Sequence, residues 1–145
     1  MRDFILKFEN LERLELIGLR LVDHLEDMMQ AIKRPKLKHL NLMLNGIEQE
    51  YCTYFNYMLN FETIESLNIS SNWFGCAGLK RFKEQFKLFK NLRFLSLSNN
   101  KLCKSVDAIF NHQDHMEIKE VLLACGSGLE ELEMCENSIE DKSIT

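Results

Sequence analysis

The chain has 145 residues, of which 46% are apolar and 28% charged, a composition typical of one folded unit with an apolar core. Its formal net charge of -4 argues against a nucleic-acid partner, because phosphate binding needs a basic surface. No apolar run approaches the roughly 20 residues that span a membrane, and charges interrupt the N-terminus too early for a signal peptide. The five cysteines are scattered, which is typical of reduced thiols. We therefore expect a cytoplasmic location and no membrane partner.

The first residues contain Phe4, Leu6 and Phe8, which we interpret as the remainder of a helix that partly covers the first repeat. From Leu11 onward one pattern recurs, L-x-x-L-x-L-x-x-N-x-L, whose positions are numbered here from one to eleven. Its copies begin at Leu11, Leu37, Ile64, Leu92 and Leu129, with spacings of 26, 27, 28 and 37 residues. Apolar residues at positions four and six predict a short strand with one face on the core. Successive strands are expected to pair in parallel.

Position nine carries an asparagine in every copy except the first, where Leu19 takes its place. A side-chain amide both donates and accepts, so it can satisfy backbone groups where the chain leaves a strand. We expect a structural asparagine ladder that starts at the second copy and consists of Asn45, Asn72, Asn100 and Asn137.

The connections between strands carry apolar residues at helical spacing. In the first, these are Leu25, Met28, Met29 and Ile32, with Asp23 as the predicted N-cap and Pro35 after the helix end. The second and third connections show the same face, through Phe55, Met58 and Leu59 and through Leu79, Phe82, Phe86 and Phe89.

The fourth connection is longer than the third by about nine residues. We expect a helix containing Val106, Ile109 and Phe110, an interruption at residues 111–114, and a second apolar face with Ile118, Val121 and Leu122. Gly126 should end that helix. We interpret the extra length as a tolerated variant in preference to a functional insertion.

Repeats of 26 to 28 residues with a full helix in each connection resemble the ribonuclease-inhibitor-like class of leucine-rich-repeat proteins. This resemblance implies a single α/β domain over residues 1–145, a curved solenoid with about five short parallel strands on the concave face and helices on the convex face. It also implies binding of another protein or peptide, without enzymatic activity or a cofactor. Two alternatives of the same architecture are a regulator of a small GTPase and a structural subunit of a cytoskeletal or ciliary assembly.

Side chains at positions three and five should line the concave face. The predicted binding residues in these two rows are Arg13, His39, Ser66, Phe94 and Glu131, and Glu15, Asn41, Asn68, Ser96 and Glu133. Phe94 would be either an anchor for a partner or a cover for the neighbouring strand. Trp73 follows a ladder asparagine and should lie on the rim, as a second anchor or packed on the next turn.

Candidate chemistry is weak in this sequence. His39 with Ser66 or Ser70 has no carboxylate evidently placed to orient the histidine, so catalysis is not expected. His112 and His115, with Cys103 and Cys125, lack the paired spacing of metal ligands, so no metal site is expected either.

The last predicted strand, Glu131–Cys135, presents an unpaired edge flanked by glutamates. Two interpretations remain open for this end. The chain is either a short protein with charged ends or a piece of a longer solenoid, in which further repeats or another subunit cover the open ends.

Overall fold

The structure is a computed structural model that describes residues 2–33, 35–57, 61–102 and 112–137. Its centre is a parallel sheet of five strands in chain order. The strands are β1 (Arg13–Glu15), β2 (His39–Asn41), β3 (Ser66–Asn68), β4 (Phe94–Ser96) and β5 (Glu131–Glu133). Each begins at position three of the repeat pattern and pairs in register with the next. The predicted five-stranded parallel sheet is therefore confirmed, although β5 ends at Glu133 and not at Cys135.

Among the described residues, four α-helices accompany the sheet: α1 (Arg2–Ile5), α2 (Leu25–Ile32), α3 (Gly75–Phe86) and α4 (His112–Ala124). The N-terminal α1 packs against α2 and buries Ile5, while Leu6 and Phe8 remain about two-fifths exposed. A helix thus covers the first repeat as predicted, but through Ile5; Leu6 and Phe8 lie beyond its end, and the side chain of Phe4 is outside the described part of the chain. Gly126, with a φ of 77°, follows α4 as expected.

The start of α2 differs from the prediction. A 3₁₀ turn (Leu21–His24) precedes it, and the residue before the helix is His24, with no side-chain cap hydrogen bond. The predicted N-cap at Asp23 is wrong because Asp23 lies inside the 3₁₀ turn, which begins at the buried Leu21, an inward residue of the repeat pattern.

The second connection is a 3₁₀ helix (Gln49–Tyr57), where the sequence pattern had predicted an α-helix. Its residues from Tyr51 onward are aromatic, β-branched or otherwise weak α-helix formers. Residues three apart eclipse each other in a 3₁₀ helix, and Cys52 and Phe55 are accordingly both buried. Met58 and Leu59, which were expected on the same face, lie outside the described residues.

The polar run that was predicted to interrupt the fourth connection begins a helix instead. Residues 112–114 form the first turn of α4, where backbone N–H groups lack intrahelical acceptors and polar residues are common. The predicted interruption is therefore wrong for these three residues. Val106, Ile109, Phe110 and Asn111 lie outside the described part of the chain.

The core lies between the sheet and the helices. In the three inner repeats no side chain at position one, four, six or eleven is more than 2% exposed. Phenylalanines from the connections fill the space behind them, with Phe82 in edge contact with Phe55 and Phe74 at ring-centroid distances of 4.4 and 5.6 Å. The inner repeats therefore share one continuous apolar interior.

Close approach of α3 to the 3₁₀ helix requires a glycine at position 78. A Cβ at Gly78 would lie 2.6 Å from the Cβ of Phe74 and 3.0 Å from the Sγ of Cys52. These distances are shorter than normal van der Waals contacts, so any side chain at this position would push the two connections apart.

In the turn after each strand, the residue at position eight of the pattern has a positive φ, and in the first, second and fourth repeats position ten has one as well. The position-eight residue is Gly18 in the first repeat, with a φ of 67°, and then Leu44, Ser71, Asn99 and Glu136, with φ between 52° and 60°. A left-handed conformation is unfavourable for residues other than glycine, so the fold imposes it in the four later repeats.

No helix among the described residues is long and apolar enough to cross a membrane.

Candidate protein-binding surface

The face of the sheet that points away from the helices is called here the open face. Side chains alternate across a strand, so residues at positions three and five lie opposite the buried leucine at position four. The strand register aligns each predicted row across the sheet. The first row runs Arg13, His39, Ser66, Phe94, Glu131, and the second runs Glu15, Asn41, Asn68, Ser96, Glu133.

A shallow depression of about 280 Å³ lies on this face. It spans β1 to β4 and is lined by both rows, including Arg13, His39, Asn41, Ser66, Asn68 and Phe94. The predicted binding residues of four strands therefore form one surface.

The first strand carries an ion pair on the open face. The Arg13 guanidinium donates to Oε1 of Glu15 from Nε at 2.8 Å and from a terminal nitrogen at 2.6 Å. Both side chains are largely exposed, so the pair contributes little to folding stability. Either group can exchange this contact for one with a partner at small cost.

Asn41 and Asn68 are half-buried and bonded to their own strands, which sequence reasoning missed. The Oδ1 of Asn41 accepts from the N–H of Met43 at 3.0 Å. The Oδ1 of Asn68 accepts from the N–H of Ser70 at 2.9 Å and from its hydroxyl at 2.6 Å. The signal was available, because asparagine commonly bonds to the backbone two residues further on. The side-chain oxygens of Asn41 and Asn68 are therefore already used within the fold.

Ser96 differs from the other predicted binding residues because it is buried, with only 1% of its surface exposed. Its short side chain lies in register between the longer Asn68 and Glu133. Its hydroxyl has no hydrogen-bond partner within the described residues. Ser96 therefore offers a partner no accessible surface, contrary to the expectation from its position.

Phe94 is half-buried in the first row, in register between Ser66 on β3 and Glu131 on β5. It lines the depression, so part of its ring is accessible from the open face. Both expected roles, anchor and cover, are compatible with this position.

Trp73 lies on the rim, with 55% of its surface exposed. Its backbone N–H donates to the carbonyl of Ile47 at 2.9 Å, and the Nζ of Lys101 lies 4.8 Å from the ring centroid. This cation–π contact holds the indole between two repeats while leaving much of it open to a partner.

The open face is acidic at its C-terminal end. Glu131 and Glu133 are both exposed on β5, and Cys135 beyond them is exposed as well. At the other end the charge of Arg13 is balanced by Glu15, so the excess of negative charge on this face lies at its C-terminal end.

The four position-nine asparagines are buried behind the turns. The Oδ1 of Asn72 accepts from the N–H groups of Asn45 and Ile47, both at 3.0 Å. Its Nδ2 donates to carbonyls of Leu42, Ile69 and Ser70 at 2.9 to 3.1 Å. Asn45, Asn100 and Asn137 bond in the same way, and each connects two successive repeats.

Two cysteines of the interior differ from those at the surface. Burial raises the pKa of the Cys52 thiol to about 12 and that of the Cys125 thiol to about 11. Both therefore remain protonated and unreactive near neutral pH.

Within the described ranges no three His, Cys, Asp or Glu side chains form a group that could hold a metal ion. Cys103 and the side chains of His112 and His115 are not among the described groups.

Family models of leucine-rich repeats match parts of the sequence. One, described as Leucine Rich Repeat, matches residues 91–112, and a second, described as Leucine Rich repeat, matches residues 34–50 and 62–82. No curated protein matches the chain.

Two solved structures are similar in fold. The structure titled Leiomodin-1 Actin-Binding Site 2 (ABS2) superposes with a TM-score of 0.71 at 18% identity, covering 92% of this chain and 79% of that one. The tropomodulin C-terminal domain of Caenorhabditis elegans superposes with a TM-score of 0.70 at 12% identity, covering 98% of this chain and 83% of that one. At these identities the likeness shows the fold alone. The family models and the fold support a leucine-rich-repeat protein.

Proposed function

We propose that the open face binds another protein, and that actin is the first partner to test. The observation that carries this proposal is the depression that four strands line together with exposed charges and the partly accessible Phe94. Binding side chains on several strands of a rigid sheet keep their spacing without a partner, which lowers the entropic cost of association.

The shape of the surface favours a protein over a small ligand. Small-molecule sites are usually enclosed, largely apolar cavities of roughly 300–1,000 Å³. The depression here is smaller, open and lined mainly by polar groups. A protein surface can fill such a shallow depression and supply hydrogen-bonding groups to its polar lining. Phe94 in the lining and Trp73 outside it would be the aromatic contacts.

The charge distribution indicates how the partner is oriented. Glu131 and Glu133 would face basic side chains of the partner, while Arg13 and His39 would face acidic or polar ones. Such complementarity sets orientation and association rate more than affinity. We therefore expect binding to weaken as ionic strength rises.

The two structural neighbours support the choice of actin. One carries an actin-binding site in its title, and both have the fold of this chain. A structural subunit of a cytoskeletal assembly, one of the alternatives from sequence, agrees with this support. The comparisons give no support to the other alternative, a regulator of a small GTPase.

Four finer assignments belong to the same proposal. The repeat lengths and the helices α2 and α3 support the ribonuclease-inhibitor-like subtype, with the open face concave because helices are wider than strands. The formal net charge of -4 supports a protein partner in preference to nucleic acid, and the polar, open surface that the described strands form supports a binding role in preference to catalysis. The scattered cysteines support a cytoplasmic location. The single continuous sheet supports one domain over the chain.

The test is co-sedimentation of the full chain with filamentous actin, together with titration of monomeric actin. Phe94→Ala and Trp73→Ala should each weaken binding by about tenfold, as expected for aromatic anchors. The matched control is Leu88→Ala, which removes an exposed apolar side chain just beyond α3 and away from the open face. It should leave the affinity unchanged.

Three outcomes separate the parts of this proposal. Absence of actin binding by the folded wild-type chain would remove actin as the partner. Capture of a different protein, lost with Phe94→Ala, would keep the open face as the binding surface. Equal binding by the wild type and by both aromatic variants would show that the open face is not the surface used.

A further inference from the structure

We infer that the depression on the open face binds a carboxylate side chain of the partner protein through the side-chain amides of Asn41 and Asn68. The inference rests on the proposed function and deepens it, because it names the group of the partner that enters the depression. The occupant is an acidic residue of a protein segment, with an apolar residue close to it along the chain.

The fold determines which way both amides face. The side-chain oxygen of Asn41 accepts from the N–H of Met43 at 3.0 Å, and that of Asn68 accepts from the N–H of Ser70 at 2.9 Å. A backbone N–H can only donate, so the amide atom that it meets must be the oxygen. The two asparagines are register partners on β2 and β3, so the same arrangement repeats one strand apart.

Both amide nitrogens remain available as donors. The Nδ2 atoms of Asn41 and Asn68 form no hydrogen bond with another residue in the described part of the chain, whereas the Nδ2 of the ladder residue Asn72 donates to three carbonyls. Asn41 and Asn68 are half-buried and line the depression. The middle of the depression thus presents two donor groups on strands that lie about 4.8 Å apart.

Other polar groups of the lining add donors around this pair. His39 and Ser66 occupy the neighbouring row, and neither side chain bonds to another described residue. An imidazole has an N–H in both its neutral and its protonated form, and a hydroxyl can donate as well as accept. The charged acceptor of the lining is Glu15, whose Oε1 already accepts from Arg13. The depression therefore favours an occupant that accepts hydrogen bonds.

An ionised carboxyl group meets this requirement better than the other groups of a protein surface. It only accepts, and its hydrogen bonds are roughly twice as strong as those between neutral groups. Its two oxygens can each accept from one of the two amides, which lie on adjacent strands. A lysine or arginine would bring only donors to a surface that already presents donors.

The charges nearby permit an anion at this position. The ionisable residues of the lining are Arg13, Glu15 and His39, and the first two form an ion pair. The acidic residues Glu131 and Glu133 lie on β5, outside the lining and two strands beyond β3. Two strand spacings are about 10 Å, longer than the Debye length of about 8 Å at physiological ionic strength, so salt screens the repulsion.

Phe94 indicates which residue accompanies the carboxylate. It is half-buried, belongs to the same lining and lies on β4, next to the strand of Asn68. An apolar side chain that covers the accessible part of its ring removes apolar surface from water. An extended segment presents every second side chain on one face, so an acidic residue and an apolar residue two positions later can both contact the depression.

The test titrates the full chain with acetyl-Ala-Glu-Ala-Leu-Ala-amide and with the same peptide carrying glutamine in place of glutamate. Both ends are blocked, so the glutamate supplies the only carboxylate. NMR signals of the side-chain amides report binding at Asn41 and Asn68 directly. We expect both signals to shift with the glutamate peptide, with a dissociation constant on the order of 1 mM. The glutamine peptide should bind about tenfold more weakly.

Asn68→Asp is the most specific variant. Aspartate keeps the oxygen that accepts from Ser70 and replaces the donor by a second, charged acceptor. It should weaken binding of the glutamate peptide by about tenfold or more, while thermal unfolding checks that the variant is folded. Asn41→Asp provides a second variant with the same expectation. The matched control, Asn99→Asp, adds the same charge at an exposed position outside the lining and should change the affinity by less than about twofold.

Four results would overturn the inference. Equal affinity for the two peptides would show that the carboxylate is not recognised, and absence of shifts with either peptide would show that the depression does not bind it. Unchanged affinity in both aspartate variants would show that the amides do not contact the ligand. Equal shifts with inorganic phosphate would show a general anion site and not one for a protein side chain.

The actin experiment distinguishes failure of this inference from failure of the proposed function. Actin binding that is lost with Phe94→Ala but kept in Asn68→Asp would retain the open face as the binding surface and overturn the role of the amides. Selective binding of the glutamate peptide without actin binding would support the inference and remove actin as the partner.

Discussion

Asparagine serves two different purposes on the two sides of this sheet. In the turn after β3, Asn72 is fully buried; its side chain bonds to the preceding repeat and its backbone N–H to the Oδ1 of Asn100 in the following one. On the open face of β3, Asn68 is half-buried, and within the described residues its oxygen accepts from Ser70, two residues along the chain. The first arrangement connects repeats, whereas the second shapes the end of a single strand.

This difference shows where the stability of the repeat array resides. Bonds between repeats form only when neighbouring repeats are both folded, so they add to the nearest-neighbour term that makes such arrays cooperative. Bonds within a strand end add little to that term. We therefore expect substitution of a buried ladder asparagine to cost the array more stability than substitution of an asparagine on the open face.

The largest expected effect is that of Asn72→Ala. The N–H groups of Asn45 and Ile47 would lose the acceptor that the described residues provide while remaining buried, and each such loss costs about 1–3 kcal/mol. The carbonyls of Leu42 and Ile69 keep a second ladder amide as donor. We expect the free energy of unfolding to fall by about 3–5 kcal/mol in denaturant titrations. A loss below about 1 kcal/mol would contradict the structural role of the ladder.

Asn45→Ala should have a smaller effect, because this asparagine begins the ladder. Its oxygen accepts from one N–H, that of Leu19, which is only partly buried. The Nδ2 of Asn45 donates to the Leu16 carbonyl, which would lose this hydrogen bond. It also donates to the Leu42 carbonyl, which would keep its bond from the Nδ2 of Asn72. We expect a loss of about 2 kcal/mol by the same titration. A loss equal to that of Asn72→Ala would mean that position in the ladder does not matter.

Asn68→Ala is the matched variant on the open face. The N–H and the hydroxyl of Ser70 would lose their acceptor, and Ser70 is 6% exposed. Asn68 itself is half-buried, so its truncation lets water approach these groups, and we expect a loss of about 1–2 kcal/mol. Thermal unfolding of the three variants side by side ranks them directly. If Asn68→Ala were as destabilising as Asn72→Ala, the distinction between the two faces would be wrong.

The reactivity of the cysteines tests the same contrast between exposed and buried positions, and the test needs no substitution. Cys135 is exposed at the end of the open face, whereas Cys52 and Cys125 are buried. Because burial raises the pKa of Cys52 to about 12 and that of Cys125 to about 11, both stay protonated at pH 8 and should resist a thiol-specific reagent. Cys135 should react rapidly, as mass spectrometry of digested protein would show. Denatured protein is the control, in which every cysteine should react.

The fold was largely predictable from the repeat pattern. The apolar residues at positions four and six identified the strands. Because the same positions recur in every repeat, they also predicted the register, in which each residue pairs with the residue at the same position of the next repeat. These features depend on local periodicity, which a sequence displays directly. Boundaries were less predictable, since the start of α2 depends on the burial of Leu21 and the start of α4 lies within a polar run.

The candidate surface was predictable in position but not in detail. The register places all ten residues of the two rows as expected, but Ser96 is buried because its neighbours have longer side chains. The hydrogen bonds of Asn41 and Asn68 depend on turn geometry after the strand. Accessibility and bonding on a sheet depend on the neighbouring strands, so one repeat read alone cannot supply them.

The left-handed residue at position eight has a consequence for how such a surface diversifies. The backbone adopts the same conformation there with leucine, serine, asparagine or glutamate. Asparagine tolerates this conformation better than the other three, each of which costs about 1–2 kcal/mol. The turn therefore keeps one path while its position-eight side chain varies from repeat to repeat, and this variation changes the surface chemistry beside the sheet.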